Sequence, residues 1–238
     1  MATKKFYTKD KHYAELKDLL LKVRKGYNAS DNFSLVIEIL AISLSNLVHT
    51  EYYDEREKRY LNLIRGADLN AIIKAVAYIM QWINEQGTPM DVLGPYHTWL
   101  GLDNKHTGQF FTPWNVACLM AELNLGTKKD IMARIEKEGY MTFDDPTCGA
   151  GGTLLAAAHV LDKMGINYNE KAVFYGMELV PTTAYTCFVQ CALYGLPAVI
   201  CHGDSIKMDT YETFVSLAYW EMRAKAEDLD IAKTRRVV

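Results

Sequence analysis

The first hundred residues carry apolar side chains at three- and four-residue spacing, which is the period of an amphipathic α-helix. These runs cover residues 13–23, 32–47 and 68–83, and a charged, helix-like stretch at 51–65 lies between the last two. Ser30 and Asp31 precede the second run and predict its N-cap, because their side-chain oxygens can accept from free backbone N–H groups. Gly87 and Pro89 end the last run. The pattern therefore predicts a helical N-terminal domain at residues 1–100.

From residue 141 onward the hydrophobic period changes. Short apolar runs at 141–145, 172–177 and 198–201 alternate with helical runs at 153–164 and 182–194. Strand–helix–strand–helix–strand with unbroken apolar strands is typical of a parallel sheet covered on both faces. Residues 213–220 fit a fourth strand or an amphipathic helix equally well, before a charged, helix-like run at 221–236. We therefore expect an α/β fold, with the sheet in a second domain at 101–238.

Composition and charge narrow the classes of protein that fit. Half of the 238 residues are hydrophobic and the net charge is −3, so a sizeable core is available and net charge alone cannot hold nucleic acid. The first thirty residues are an exception, with eight basic against three acidic side chains, a local charge of +5. They form either a phosphate-binding face or a solvated helix face. We favour the solvated face, because no groove-reading motif accompanies these charges.

The cysteines and the N-terminal sequence indicate the cellular compartment of the protein. Five cysteines are an odd number with no Cys-x-x-Cys pair, which favours reduced thiols. Cys187 and Cys191 have a spacing that permits a metal, but no histidine or second cysteine pair is near in sequence, so we predict no metal site. No run of eighteen apolar residues and no signal peptide are present, so we expect a cytoplasmic protein.

Acidic residues and glycines follow each predicted strand. The first strand leads into Asp-Pro-Thr-Cys-Gly-Ala-Gly-Gly at 145–152, the second ends at Glu178, and the third ends at Gly203 and Asp204. Ligands of parallel sheets bind at the carboxyl ends of the strands. Glycines let a ligand approach the backbone, Glu178 can accept from ribose hydroxyls, and Asp204 can accept from an adenine amine. Each feature alone also fits a turn or a helix cap, but the three together indicate a nucleoside site.

A fourth motif lies upstream, in the loop Gly-Gln-Phe-Phe-Thr-Pro at 108–113. An aromatic ring and a hydroxyl in one loop can cover an adenosyl or methionine group. The same string also fits an aromatic plug followed by a helix that starts at Thr-Pro, since proline is favoured in the first helical turn.

These four motifs, in this order, resemble the modification subunit of type I restriction–modification systems, which are N6-adenine DNA methyltransferases that use S-adenosylmethionine. The resemblance is strongest from residue 91 to 206, and the helical N-terminus, closing at 91–94, is similar to that family's N-terminal domain. It implies that Phe111 and Thr112 line the cofactor, and that Glu178 binds its ribose and Asp204 its adenine amine. It further implies that the methionine end contacts Asp145, Cys148, Gly149 and Gly151. The expected fold is thus a helical N-terminal region with a Rossmann-like methyltransferase sheet.

One motif of that family is missing. Its enzymes carry Asn, Asp or Ser followed by Pro-Pro-aromatic after the fourth strand, where the ring stacks on a flipped adenine and the polar groups orient its amine. The six prolines of this chain include no adjacent pair. We therefore expect a truncated sheet, no catalytic residue in this chain, and at most cofactor binding.

Several functions stay open at this point. The chain is a cofactor-binding relative of these methyltransferases, a non-catalytic regulatory or interaction module, a subunit whose active site a partner completes, or a fragment of a longer enzyme. S-adenosylmethionine, with S-adenosylhomocysteine as product, is the expected cofactor. Expected partners are DNA, bound weakly, and a specificity subunit, a second methyltransferase subunit or another copy of the chain, with no membrane. A bacterial or phage genome is the expected source.

Overall fold

The computed structural model describes residues 11–102 and 111–234, without the side chains of 226–234. The helices are α1 (Lys11–Leu20), α2 (Ala29–Asn46), α3 (Tyr53–Ile64), α4 (Leu69–Asn84), α5 (Leu93–Trp99), α6 (Trp114–Leu125), α7 (Lys128–Glu138), α8 (Gly152–Lys163), α9 (Tyr168–Lys171), α10 (Pro181–Leu193) and α11 (Leu217–Thr234). The strands are β1 (Met141–Asp145), β2 (Ala172–Glu178), β3 (Ala198–Asp204) and β4 (Asp209–Val215). None of the helices within these ranges is both long and apolar enough to cross a membrane.

The four predicted N-terminal helices are confirmed as α1 to α4, but the predicted cap of α2 is wrong. The N-cap is Asn28, whose side-chain oxygen accepts from the Asp31 backbone N–H at 2.8 Å. Ser30 lies inside the helix, and its hydroxyl donates to the Leu100 carbonyl at 2.8 Å. Asn28, Ser30 and Asp31 can all cap a helix, and Asn28 is the one that does so here.

The sheet has the order β1–β2–β3–β4, with the first three strands parallel and β4 antiparallel to β3. The ambiguous segment at 213–220 contains both predicted structures, since β4 ends at Val215 and α11 begins at Leu217. Ser216 makes the junction: its hydroxyl donates to the Leu196 carbonyl at 2.7 Å and accepts from the Tyr219 N–H at 3.2 Å. The sheet is therefore mixed rather than wholly parallel.

The two faces of the sheet are covered unequally. One face carries the buried Phe174 and Ile200 and packs under α8 and α10. On the other face Val173 is buried but Thr142 and Asp144 are exposed, so the expected cover of this face is confirmed only in part for the described residues. Crossovers between parallel strands are nearly always right-handed, and two that run in the same direction put α8 and α10 on the same side.

One continuous cluster of buried side chains joins the N-terminal helices to the sheet. A buried ion pair also crosses between them: Arg56 of α3 is fully buried and donates to Glu212 of β4 at 2.7 Å. Arg59 contacts both carboxylate oxygens of Glu212 at 3.0 Å. The division into two domains at residue 100 accordingly stays a prediction.

Candidate functional site

The first part of the site is the glycine loop, residues 145–152, between β1 and α8. Asp145 begins the loop, and its carboxylate accepts from the Thr147 N–H at 3.0 Å and from the Thr153 hydroxyl. Thr153 lies in the first turn of α8, so Asp145 fixes both ends of the loop. Among the described residues, no side chain caps the start of α8 at Gly151. Because α8 follows the carboxyl end of β1, the N–H groups of its first turn lie at that edge of the sheet, where an electron-rich ligand group can accept from them.

Glycine is required at two positions of this loop. Gly149 has a φ of 55° and Gly151 a φ of 98°, values that residues with a Cβ rarely adopt. A Cβ at Gly149 would lie 3.1 Å from the Phe111 ring, and one at Gly151 would lie 2.9 Å from the Cys187 sulfur. The loop thus depends on glycine both for its turns and for its close packing.

Glu178, at the end of β2, faces the glycine loop. Its side chain is 9% exposed, and it accepts from the Gly149 N–H at 3.2 Å and from the Val180 N–H at 2.9 Å. Burial raises the pKa of Glu178, while these backbone hydrogen bonds lower it. The structure thus brings together Glu178 and the loop after β1, as expected for adjacent parallel strands that end at one edge.

The upstream loop reaches the same place. The Phe111 ring lies against Gly149 and makes an edge-to-face contact with His97, at 5.5 Å between ring centroids. Thr112 is half-buried, and its carbonyl lies 4.0 Å from the position of a Cβ on Gly152. Residues 108–110 of this motif are outside the described residues.

Asp204 ends β3 and is held by its own turn. Its carboxylate accepts from the Ile206 and Lys207 N–H groups, both at 3.1 Å, and pairs with the Lys207 ammonium at 3.0 Å. The hydrogen bond from the Lys207 side chain lowers the pKa of Asp204 below its usual range. In contrast with Glu178, Asp204 has no described hydrogen bond to the glycine loop.

Cys148 connects the glycine loop, to which it belongs, with the neighbouring strand. It is buried, and its N–H donates to the Met177 carbonyl at 3.0 Å, which ties the loop to β2. Cys187 and Cys191 of α10 are also buried and free. Hydrogen bonds to the Cys148 and Cys191 thiols, together with burial, raise the pKa of Cys187. The described residues contain no group of three or more side chains able to hold a metal ion.

Two residues next to the site were missed by sequence reasoning. Gln190 of α10 is fully buried and donates to the Ala150 carbonyl in the glycine loop at 2.9 Å. It also donates to the Asp91 carboxylate at 2.9 Å. A glutamine within an apolar helical run was the only signal in the sequence, and its partners are 40 and 99 residues away.

The geometry permits recognition of a nucleoside with a polar tail. The acidic side chains at the ends of β1, β2 and β3 and the free helix N–H groups share one edge of the sheet, as is typical of ligand sites in such folds. Phe111 closes the edge beside the loop. The assigned roles of the eight residues, Phe111, Thr112, Asp145, Cys148, Gly149, Gly151, Glu178 and Asp204, stay predictions.

The family model described as N-6 DNA Methylase matches residues 98–227, which is more than half of the chain. Among solved structures, the methyltransferase subunit of a type I restriction–modification system from Streptococcus thermophilus is similar at 16% identity, with a TM-score of 0.37. The match covers 82% of this chain and 56% of that subunit, so the chain spans little more than half of its length. The comparison with curated proteins gave no match. The family match covers β1 to β4 and every candidate site residue, and the chain therefore belongs to the N-6 DNA methylase family.

Proposed function

We propose that the chain binds S-adenosylmethionine, and S-adenosylhomocysteine as its product form, at the carboxyl edge of β1 to β3. The observation that carries this proposal is the contact between the buried Glu178 carboxylate and the Gly149 N–H. It joins the acid expected to bind the ribose to the loop expected to bind the methionine end. When bound, the cofactor supplies an electrophilic methyl group.

The residues present fit this group. Glycine at 149 and 151 lets the loop turn tightly against Phe111 and Cys187, and the first turn of α8 has no side-chain cap among the described residues. The Glu178 carboxylate is already oriented by backbone N–H groups, so little ordering is needed before it accepts from hydroxyls. Asp204 would have to exchange its contact with Lys207 for the adenine amine. That exchange costs little, because the Lys207 side chain is 68% exposed and such ion pairs are weak.

Calorimetric titration with S-adenosylhomocysteine tests this proposal. Glu178→Ala and Asp204→Ala should each weaken binding about ten- to a hundredfold, the effect of losing a hydrogen bond to a charged group. Asp144→Asn is the matched control, because Asp144 neighbours Asp145 but is exposed on the opposite face of β1. Absence of binding by the unmutated protein would overturn the proposal.

We further propose that these 238 residues alone do not methylate DNA. After Asp204 the chain forms β4 and α11, and neither includes Pro-Pro followed by an aromatic. Without acceptors that orient the adenine amine, the advantage of alignment is lost, which is worth roughly 7–11 kcal/mol in well-oriented reactions. The net charge of −3 also argues for weak DNA binding. The function is then cofactor binding within a larger modification complex.

The assay is incubation with radiolabelled S-adenosylmethionine and adenine-rich duplexes. We expect no label in DNA above a protein-free blank. Label incorporation that Asp204→Ala abolishes would prove that an unrecognised catalytic loop exists.

A partner that completes the sheet is the second candidate, and the exposed edge of β1 supports it. No strand pairs with the outer side of β1 among the described residues. The chain's own fourth strand does not cover this side, because β4 pairs with β3 at the other edge. A specificity subunit, a second methyltransferase subunit or another copy would therefore supply the missing strand. We propose a cytoplasmic location for this assembly, as expected for a bacterial or phage-encoded protein.

Size-exclusion chromatography with light scattering tests the partner proposal, with the chain alone and then mixed with a candidate subunit. A stable complex that protects the amides of β1 from hydrogen exchange would support it. A complex that leaves β1 unprotected would contradict it.

A further inference from the structure

We infer that Gln190 and Asp91 are positioning residues that fix the glycine loop and connect it to the N-terminal helices. Gln190 belongs to α10, and Asp91 precedes α5, so neither lies in a motif expected to contact the cofactor. The effect on the conformation of the loop depends only on the hydrogen bonds of these two side chains. Its consequence for cofactor affinity rests on the function proposed above.

Every hydrogen-bonding position of the Gln190 amide is used. Its oxygen accepts from the Val92 N–H at 3.0 Å and the Leu93 N–H at 2.9 Å. Its nitrogen donates to the Asp91 carboxylate and to the Ala150 carbonyl, both at 2.9 Å. A glutamine amide offers two donors and two acceptor positions, so this side chain is satisfied in one orientation only. Gln190 thereby holds the start of α5, Asp91 and the glycine loop in one arrangement.

Asp91 extends the contact to the start of α8. Its carboxylate is 7% exposed, accepts from the Gly94 N–H at 2.9 Å, and has its second oxygen 3.1 Å from the position of a Cβ on Gly152. Burial raises the pKa of Asp91. A buried polar group is costly unless its partners stay in place, so these contacts act as a unit. The Ala150 peptide lies between Gly149 and Gly151, which restrict the backbone little, so the hydrogen bond from Gln190 limits the conformations of the loop.

The inference predicts a loop effect that a general loss of stability would not produce. Gln190→Met keeps the length and burial of the side chain but removes both of its donors and its acceptor. Thr186→Val is the matched control: Thr186 is fully buried one turn earlier on α10, and its hydroxyl donates only within that helix, to the Thr182 carbonyl at 2.8 Å. Both variants lose buried hydrogen bonds, and only the first loses contacts with the loop.

Two measurements on the full chain decide the question. In hydrogen exchange of the ligand-free protein, amides 148–153 should exchange about tenfold faster in Gln190→Met than in the unmutated protein. In calorimetric titration, the Kd of this variant for S-adenosylhomocysteine should rise about tenfold, as for one lost hydrogen bond. Thr186→Val should leave both within about twofold of the unmutated protein. Unchanged exchange in Gln190→Met, or an equal change in Thr186→Val, overturns the inference.

Two further outcomes stay informative. If Gln190→Met does not fold, Asp91→Ala replaces it, because it removes the acceptor for the Gln190 and Gly94 N–H groups. Faster exchange of amides 148–153 in Asp91→Ala is then expected, and unchanged exchange overturns the inference. If the unmutated protein binds no S-adenosylhomocysteine, the proposed function fails, while loop exchange still decides whether Gln190 and Asp91 position the loop.

Discussion

The two edge strands of the sheet, β4 and β1, differ in how their outer sides are covered. On β4, Ser45 of α2 accepts from the Val215 N–H at 3.3 Å, and Arg56 of α3 donates to the Thr213 carbonyl. Side chains from the N-terminal helices thus take the place of a further strand. On β1, the outer side borders a groove of about 480 Å³, lined in part by Met120 and Phe143. One edge is closed within the chain, and the other is available for pairing.

The helix beside the β1 groove strengthens this contrast. α6 buries Ala117 and Leu125 against the rest of the chain, yet its outer face exposes Leu119 and Leu123, by 54% and 75%. Helices at a protein surface are usually apolar on one side only. This contrast places the uncovered edge of the sheet at β1, because side chains of the N-terminal helices already bond the backbone of β4 at Thr213 and Val215.

The largest expected effect is at the closed edge. Glu212→Gln should lower the free energy of unfolding by about 3–5 kcal/mol, because it leaves the charge of the fully buried Arg56 uncompensated. Chemical denaturation measures this loss. Glu170→Gln is the control: its contact with Lys225 is 3.4 Å long and exposed, so the change should stay below about 1 kcal/mol. Equal losses for the two variants would show that the β4 edge does not depend on the ion pair.

At the open edge, beside β1, we expect a smaller effect on the free energy of unfolding but a clear effect on self-association. Leu119→Lys with Leu123→Lys should reduce self-association and leave the free energy of unfolding within about 0.5 kcal/mol, since both side chains are exposed. Light scattering over a concentration series measures association. Leu47→Lys is the control, because Leu47 is 73% exposed but follows α2 and does not belong to α6. If Leu47→Lys reduces association equally, the α6 face has no special role.

The smallest effect is expected for the pKa of Asp204, at the end of β3. Lys207→Met should raise the pKa of Asp204 toward the usual Asp value, because the main cause of its lowering is removed. A lowered pKa in the folded state adds stability above the usual Asp pKa, which is lost as the pH falls through the folded value. NMR titration of the side chain measures the shift. Lys11→Met, at an exposed position in α1, is the control, and an equal shift there would contradict the assignment to Lys207.

Much of the fold could be predicted from the sequence. The helices α1 to α4 and the strands β1 to β3 follow from local hydrophobic period, which depends on neighbouring residues only. The approach of Glu178 to the glycine loop was also predictable, since parallel strands that follow one another through helices end at the same edge. Helix α7 was missed: its exposed face is strongly charged, and only Ile131 and Ile135 are buried.

Contacts between distant residues could not be predicted. Arg56 belongs to a charged stretch whose pattern predicts a helix exposed to solvent. It is nevertheless fully buried, because it pairs with Glu212, 156 residues away. For the same reason, the sequence did not reveal the partners of Gln190. Burial of a polar side chain depends on which partners the fold brings to it, and a single sequence does not specify those partners.

The sequence by itself determined the class of elements, their order, and the position of the glycine loop, Glu178 and Asp204 at strand ends. It also determined that no adjacent prolines follow these motifs. Only the tertiary structure decided that β4 turns back on β3, that β1 keeps an unpaired side in the described chain, and that Gln190 joins the glycine loop to the N-terminal helices. Period and turn chemistry act over a few residues, whereas edge pairing and buried polar contacts depend on distant parts of the chain meeting in space.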